Sequence, residues 1–309
     1  MRVWILGAGL IGGGWAAAFA GAGHQVTVID PDPAAAARVA ALWPRAIPPM
    51  ARLGLAPADT AIPPVVASAA EAGAAPDWVQ ESLPEKLALK QAALAAVEPF
   101  LTPDTIIASS SSGLSPDDMG RDLAVPGRLI IAHPCNPSYL MPVVELCGGS
   151  TTPPAVIERA TLAFEAMGKT VLTMNRIMPG HLVNRLQAAL WREAVFMAAE
   201  GVASLGDIEK AVTQGLGPRW SIIGPSTVFH VSGGEAGMAG FLSALGPEFE
   251  RWFATLGTPR LDAATGQVLI EGMAEADPRP VSEIAAERDE NLVRVLGFLR
   301  SEAGPVHNG

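Results

Sequence analysis

Three glycines within the first twelve residues set the tightest limit on what this chain can become. Gly7, Gly9 and Gly12 spell G-x-G-x-x-G between an apolar run, Val3 to Leu6, and a segment rich in small residues, Leu10 to Ala22. A strand that ends in such a turn and enters a helix at once lets the backbone approach a pyrophosphate closely. The phosphates then sit on the helix N-terminus, around Gly9, Leu10, Ile11 and Gly12. A second apolar run, Gln25 to Asp30, completes a β-α-β unit, and Asp30 stands eighteen residues beyond Gly12. A carboxylate there accepts both ribose hydroxyls of NAD. It repels the 2′-phosphate of NADP, and the next residues, Pro31, Asp32 and Pro33, bring no adjacent arginine. NAD is therefore the expected cofactor. A flavoprotein of this length usually shows a second nucleotide fingerprint, and none is visible; a glycine-rich turn without a ligand is the plainer alternative.

Strand-like apolar runs return at Val65 to Ser68, Asp77 to Glu81, Thr105 to Ser109, Arg128 to Ala132, Pro142 to Leu146 and Lys169 to Thr173, with helical patterns between several of them. Such alternation implies a mostly parallel sheet covered on both faces. An Ala-rich helix is expected from about Pro33 to Leu42. The stretch after it, with prolines at 44, 48 and 49, is expected to be mostly loop and short helix. After Pro179 the character changes, and HLVNRLQAALWREAVFMAAEGV carries apolar residues at helical spacing. The expected fold is α/β: a Rossmann-like, doubly wound, mostly parallel sheet in residues 1–177, followed by an all-helical C-terminal domain in 178–309. The last residues, SEAGPVHNG, should form a loose tail.

Composition narrows the class of partner. The formal net charge is −10, and only four lysines occur among 309 residues. No basic stripe is available to displace counterions from nucleic acid. No uninterrupted apolar stretch is long enough to span a membrane, and glycines break the apolar start that otherwise resembles a signal peptide. Cys135 and Cys147 fit neither a redox nor a zinc spacing, so reduced thiols in a cytoplasmic protein are expected. The five histidines show no H-x-x-x-H pattern, and no metal site is expected.

His133 ends the run RLIIA, and Glu145 follows twelve residues later in another apolar run. Two strand ends, parallel or antiparallel, bring an imidazole and a carboxylate together. The acid then fixes the ring tautomer and frees the other nitrogen as a general base. The serines Ser109 to Ser112 also end a strand, where α/β sheets gather ligand-binding groups. Without more, a strand-end histidine serves structure as readily as catalysis.

The motifs GAGLIG, VQESLPEKLALK, ASSSSGLSP, the HPCNP segment through Glu145, and PGHLVNR occur in one order along the chain. In these the chain resembles the 3-hydroxyacyl-CoA dehydrogenase superfamily over nearly its whole length. The resemblance implies His133 as catalytic base, Glu145 as its acid partner, and Ser112 and Asn184 as hydrogen-bond donors to the substrate oxygen. It places Glu81 near the nicotinamide side of the cofactor, with Lys86 in the same segment. It also implies a homodimer.

Where acyl-CoA enzymes resemble H-F-F-N-P, this chain has His133, Pro134, Cys135, Asn136 and Pro137. That pattern is similar to the branch of L-carnitine dehydrogenase and lambda-crystallin (L-gulonate 3-dehydrogenase), whose members act on small free acids. Pro31 to Pro64 offers only Arg38, Arg45 and Arg52 for the phosphates of CoA. A small free 3-hydroxy acid is therefore expected, L-carnitine or a similar betaine first and L-gulonate next; a 3-hydroxyacyl-CoA is the alternative. Arg219 is the candidate partner for the substrate carboxylate, and Trp220 for part of an aromatic wall around a trimethylammonium group. His181 replaces the usual aromatic residue of the PGF segment, and a capping or solvent-facing position is expected for it. A non-catalytic, crystallin-type structural protein is the remaining reading, but one with little use for Ser112, His133, Glu145 and Asn184 together.

Overall fold

The computed structural model describes residues 1–301, so residues 302–309 of the expected tail lie outside the described residues. Eight strands form one sheet: β1 (Arg2–Leu6), β2 (Gln25–Ile29), β3 (Val65–Val66), β4 (Trp78–Glu81), β5 (Ile106–Ser109), β6 (Leu129–Pro134), β7 (Val143–Gly148) and β8 (Thr170–Thr173). Their order is β3-β2-β1-β4-β5-β6-β7-β8. All pairs are parallel except β6 with β7. Chain order reverses between β1 and β4, the place where doubly wound sheets open a ligand crevice at their carboxyl ends.

Each central strand is buried on both faces, and side-chain alternation sorts its residues into two cores. Val3 and Ile5 join Val28, Trp78, Ile106 and Ile130 on one face. Trp4 and Leu6 join Val79, Ile107, Leu129 and Ile131 on the other. Helices α1 (Leu10–Gly21), α2 (Ala35–Arg52) and α5 (Pro154–Ala166) cover the first face, where Trp15, Phe19, Trp78 and Phe164 meet with ring centroids 5.2–6.3 Å apart. Helix α3 (Leu87–Val97) and the short α4 (Pro116–Met119) cover the second.

Helix α2 departs from the expectation of loop beyond Leu42, because it continues to Arg52 through Pro44, Pro48 and Pro49. Its buried residues explain why. Ala35, Val39, Trp43, Ala46, Ile47 and Met50 recur at helical spacing on one face, and their burial outweighs the donors the prolines remove. Trp43 adds an indole N–H bond of 2.8 Å to the carbonyl of Thr60.

The chain divides into two compact units, Met1–Asn184 with Glu290–Gly297, and Arg185–Asp289 with residues 298–301. The second is helical: most of α6 (Val183–Ala199), then α7 (Leu205–Lys210), α8 (Gly217–Trp220), α9 (Pro225–Ser232), α10 (Gly237–Phe253), α11 (Ala263–Ala276) and parts of α12 (Val281–Arg300). Within it Phe229 stacks on Phe241 and both meet Phe249 edge to face, with ring centroids 4.7–5.2 Å apart. The middle of α12 groups with the first unit, where Val293 and Leu296 enter the core and Glu290 pairs with Arg52.

Candidate active site

The antiparallel pairing of β6 and β7 sets His133 directly opposite Glu145. Directly opposed residues project to the same face, and His133 Nδ1 lies 2.7 Å from Glu145 Oε2. Glu145 is 0% exposed. Its other oxygen accepts the backbone N–H groups of Leu182 at 2.7 Å and Val183 at 2.9 Å. Burial opposes ionisation of this carboxyl, but the His133 hydrogen bond and the two backbone donors outweigh it and hold Glu145 below its ordinary value. Those donors belong to the unpaired first turn of α6, whose positive end also favours an anion. With an ionised carboxylate accepting, Nδ1 carries the ring proton and Nε2 presents its lone pair. Ser112 Oγ lies 3.1 Å from that Nε2 and can donate to it.

The four consecutive serines have four separate tasks. Ser109 donates to Glu81. Ser110 meets Trp15 Nε1, Gln80 and Ser82. Ser111 donates to Glu85, and Ser112 alone reaches His133. Glu85 also accepts the backbone N–H groups of Ser112 at 3.1 Å and Gly113 at 3.0 Å, so it fixes the turn that presents Ser112. Burial raises the Glu85 carboxyl, but its bond from Ser111, the charge of Lys90 and the Gly113 N–H bring it down overall. Glu85 is not legible from the sequence: it stands four residues after Glu81 in the same segment, and spacing alone does not say which acid faces the turn.

At the first glycine turn the structure meets the demands of a dinucleotide. Gly7 has φ +96°, and a Cβ on Gly12 would lie 1.9 Å from the Gly7 carbonyl oxygen, so neither position admits a side chain. A Cβ on Gly9 would meet nothing within 4 Å, which leaves open space in front of the α1 N-terminus. No side chain caps that terminus, and Leu10 is exposed while Ile11 is half-buried. Its first N–H groups are free for a pyrophosphate. Asp30 accepts the N–H of Ala8 at 2.7 Å, which ties the carboxylate expected at the ribose to the glycine turn. Beside it lies an apolar cavity of about 320 Å³ lined by Leu6, Ile29, Pro31, Ala69, Leu83 and Val97 among others, a setting suited to a purine. Arg38, arriving from α2, pairs with both Asp30 and Asp32. The sequence around Pro31 gives no hint of it.

The other predicted residues have varied surroundings. Glu81 is 0% exposed, and Lys90 Nζ at 2.8 and 2.9 Å, the N–H of Leu83 at 2.6 Å and Ser109 occupy its oxygens. It braces the exit of β4 and offers no exposed oxygen to a cofactor. Lys86 is exposed at the N-cap of α3. Asn184 is exposed on the first turn of α6, directly after the two donors to Glu145. Arg219 and Trp220 are on α8 in the second unit, both exposed. His181, expected at the solvent, is 0% exposed and lies against His133 with ring centroids 5.0 Å apart. The Cys135 thiol is pushed up by burial and by the Glu145 charge, which leaves it a poor nucleophile.

A histidine held by a buried acid, in the same unit as a glycine turn that leads into an uncapped helix N-terminus, is the arrangement of a nucleotide-dependent oxidoreductase. Residues 2–177 match the description "3-hydroxyacyl-CoA dehydrogenase, NAD binding domain", and residues 180–272 match "3-hydroxyacyl-CoA dehydrogenase, C-terminal domain". The chain belongs to this family and is an NAD-dependent dehydrogenase. It is 44% identical to an L-carnitine dehydrogenase of Streptomyces griseus over 96% of this chain and 89% of that protein. It is 43% identical to an L-carnitine dehydrogenase of Streptomyces coelicolor over 96% and 93%. Among solved structures, the NAD-dependent 5-formyl-3-hydroxy-2-methylpyridine 4-carboxylic acid 5-dehydrogenase superposes with a TM-score of 0.81 at 26% identity, covering 95% of this chain and 96% of its own.

Proposed function

We propose that this enzyme oxidises the 3-hydroxyl of a small free hydroxy acid, with L-carnitine as the substrate to test first. The observation that carries the choice of substrate is the 44% identity to an L-carnitine dehydrogenase, spread over 96% of the chain. The Ser112–His133–Glu145 arrangement supports the chemistry. His133 Nε2, free of a proton, takes the one on the 3-hydroxyl. Glu145, kept ionised by the α6 donors, stabilises the imidazolium that forms. Ser112 and Asn184 hydrogen-bond the substrate oxygen as negative charge gathers on it. NAD, when bound, supplies the hydride acceptor. Arg219 and Trp220 are proposed on their chemistry alone, for the carboxylate and the quaternary ammonium of the substrate.

A substrate panel tests the reading: L-carnitine, L-gulonate, 3-hydroxybutyrate and 3-hydroxybutyryl-CoA, each with NAD. NADH production fastest with L-carnitine supports it, and turnover confined to the thioester sinks it. A homodimer in the cytoplasm completes the proposal. Leu186, Trp191, Trp252, Phe253, Leu261 and Ile270 are all exposed on the second unit, more apolar surface than a lone subunit usually shows. Both cysteines are free. Light scattering at the mass of a single chain, about 32.0 kDa, would refute the dimer.

A further inference from the structure

His181 carries two local costs in one residue. Its φ of +48° makes it the only non-glycine residue with a left-handed backbone among those described, a conformation that is strained for a residue with a side chain. Its ring is fully buried, yet Nδ1 has no hydrogen-bond partner among the described residues. A phenyl ring in the same place would carry no orphaned nitrogen. What the imidazole has in exchange is its other nitrogen, since Nε2 lies 2.9 Å from the carbonyl oxygen of Ser111. A carbonyl only accepts, so Nε2 carries the proton and Nδ1 is the bare acceptor.

That bond closes a circuit. Ser112 Oγ meets His133 Nε2, His133 Nδ1 meets Glu145 Oε2, and Glu145 Oε1 takes the N–H groups of Leu182 and Val183. The chain then returns through His181 to the Ser111 carbonyl, while Gly180 N–H donates to the Ser112 carbonyl at 2.8 Å. Ser112 is thus held from one side by Glu85 and from the other by residues 180 and 181. The same His181 ring packs edge to face on the base, with 66° between the ring planes.

We propose that His181 is a positioning residue: its Nε2–H bond to Ser111 and its contact with His133 set the alignment of Ser112 Oγ with the base. This rests on the catalytic reading of His133. The test compares wild type, His181→Phe, His181→Gln and His133→Ala with L-carnitine and NAD. His181→Phe keeps an aromatic ring and loses the donor; His181→Gln keeps a donor near the Nε2 position. Loss of one neutral hydrogen bond predicts a fall in kcat of about tenfold for His181→Phe, with the KM for NAD within about twofold. His181→Gln should recover most of that loss. Wild-type kcat in His181→Phe, or equal losses in both variants, overturns the proposal. Wild-type turnover in His133→Ala would instead overturn the catalytic reading, and the two failures are distinct. A measurement on the unmodified protein needs neither turnover nor a folded variant. Imidazole ¹⁵N shifts should show His181 protonated at Nε2 and bare at Nδ1, and the opposite tautomer overturns the proposal.

Discussion

Glu81 and Glu145 are two glutamates of one sheet, each 0% exposed and each with its oxygens engaged. Glu81, at the end of β4, is matched by Lys90, itself 1% exposed, together with Ser109 and a backbone N–H. Those partners take up both of its oxygens, and the buried pair acts as a strut. Glu145, on β7, is matched by an imidazole and two helix-end donors. The histidine has a second nitrogen, and this is the one turned to Ser112. Two equally buried acids therefore differ because of the partner's chemistry: a lysine spends its charge on the acid, while a histidine carries the acid's influence on to its second nitrogen.

The largest test of this contrast falls on the base. His133→Ala should lower kcat by about 10³-fold, within the usual range for a general base, while NADH still binds in a fluorescence titration. Undiminished turnover would remove the distinction between the two acids altogether. On the other side, Lys90→Met leaves Glu81 as a buried charge without its ion-pair partner and should cost about 3–5 kcal/mol of stability in urea denaturation. The double change Glu81→Gln with Lys90→Met should regain much of it. If the single change costs nothing, the pair at β4 is not a strut.

Glu145→Gln sharpens the contrast from the middle. It keeps the shape but loses the charge that stabilises the imidazolium, so kcat should fall by about 10- to 100-fold, the worth of a hydrogen bond to a charged group. The pH dependence has a definite sign. Glu145 is held below its ordinary value of 4.5, so its contribution to stability is present at neutral pH and is lost as pH falls through the folded-state value. The denaturation midpoints of wild type and Glu145→Gln should therefore draw together as pH falls below 4.5. A gap that does not narrow at any acid pH at which the protein still folds would show that Glu145 is not held as the structure indicates.

Much of this architecture is legible in the residues. All eight strands coincide with short apolar runs, because a strand buried on both faces is nearly continuous in Val, Ile and Leu and ends at Gly, Pro or a polar cluster. The direction of β7 is not legible, since residues 135–142 allow either sense; only the register shows His133 facing Glu145. The helix through Pro44, Pro48 and Pro49 is hidden by local rules that tertiary burial overrides. Glu81 and Glu85 illustrate a finer limit. Both are acids of one motif, and their roles part only because β4 stops at Glu81, which keeps that side chain inside while Glu85 swings to the serine turn. His181 is visible as an unusual residue in its motif, but its burial depends on a left-handed backbone that no side-chain pattern announces.

Asp30 supplies the smallest expected effect and carries the comparison to a third carboxylate. It is neither sealed like Glu81 nor coupled to a base like Glu145. Its side chain is 14% exposed, with the Ala8 N–H, the Asp32 N–H and Arg38 around it. The proposed role leaves its remaining acceptor capacity for the ribose hydroxyls of NAD. Asp30→Ala should raise the KM for NAD by about tenfold, the loss of roughly one charge-assisted hydrogen bond, with kcat little changed. The same change releases Arg38 from one of its two acidic partners and removes the charge that repels a 2′-phosphate. The ratio of kcat/KM for NAD to that for NADP should then fall further than the loss of NAD binding alone explains, because NADP gains while NAD loses. A ratio that drops only in step with the KM for NAD would mean that Arg38 stays bound to Asp32. Cofactor choice would then rest on Asp30 acting as an acceptor, not on its charge.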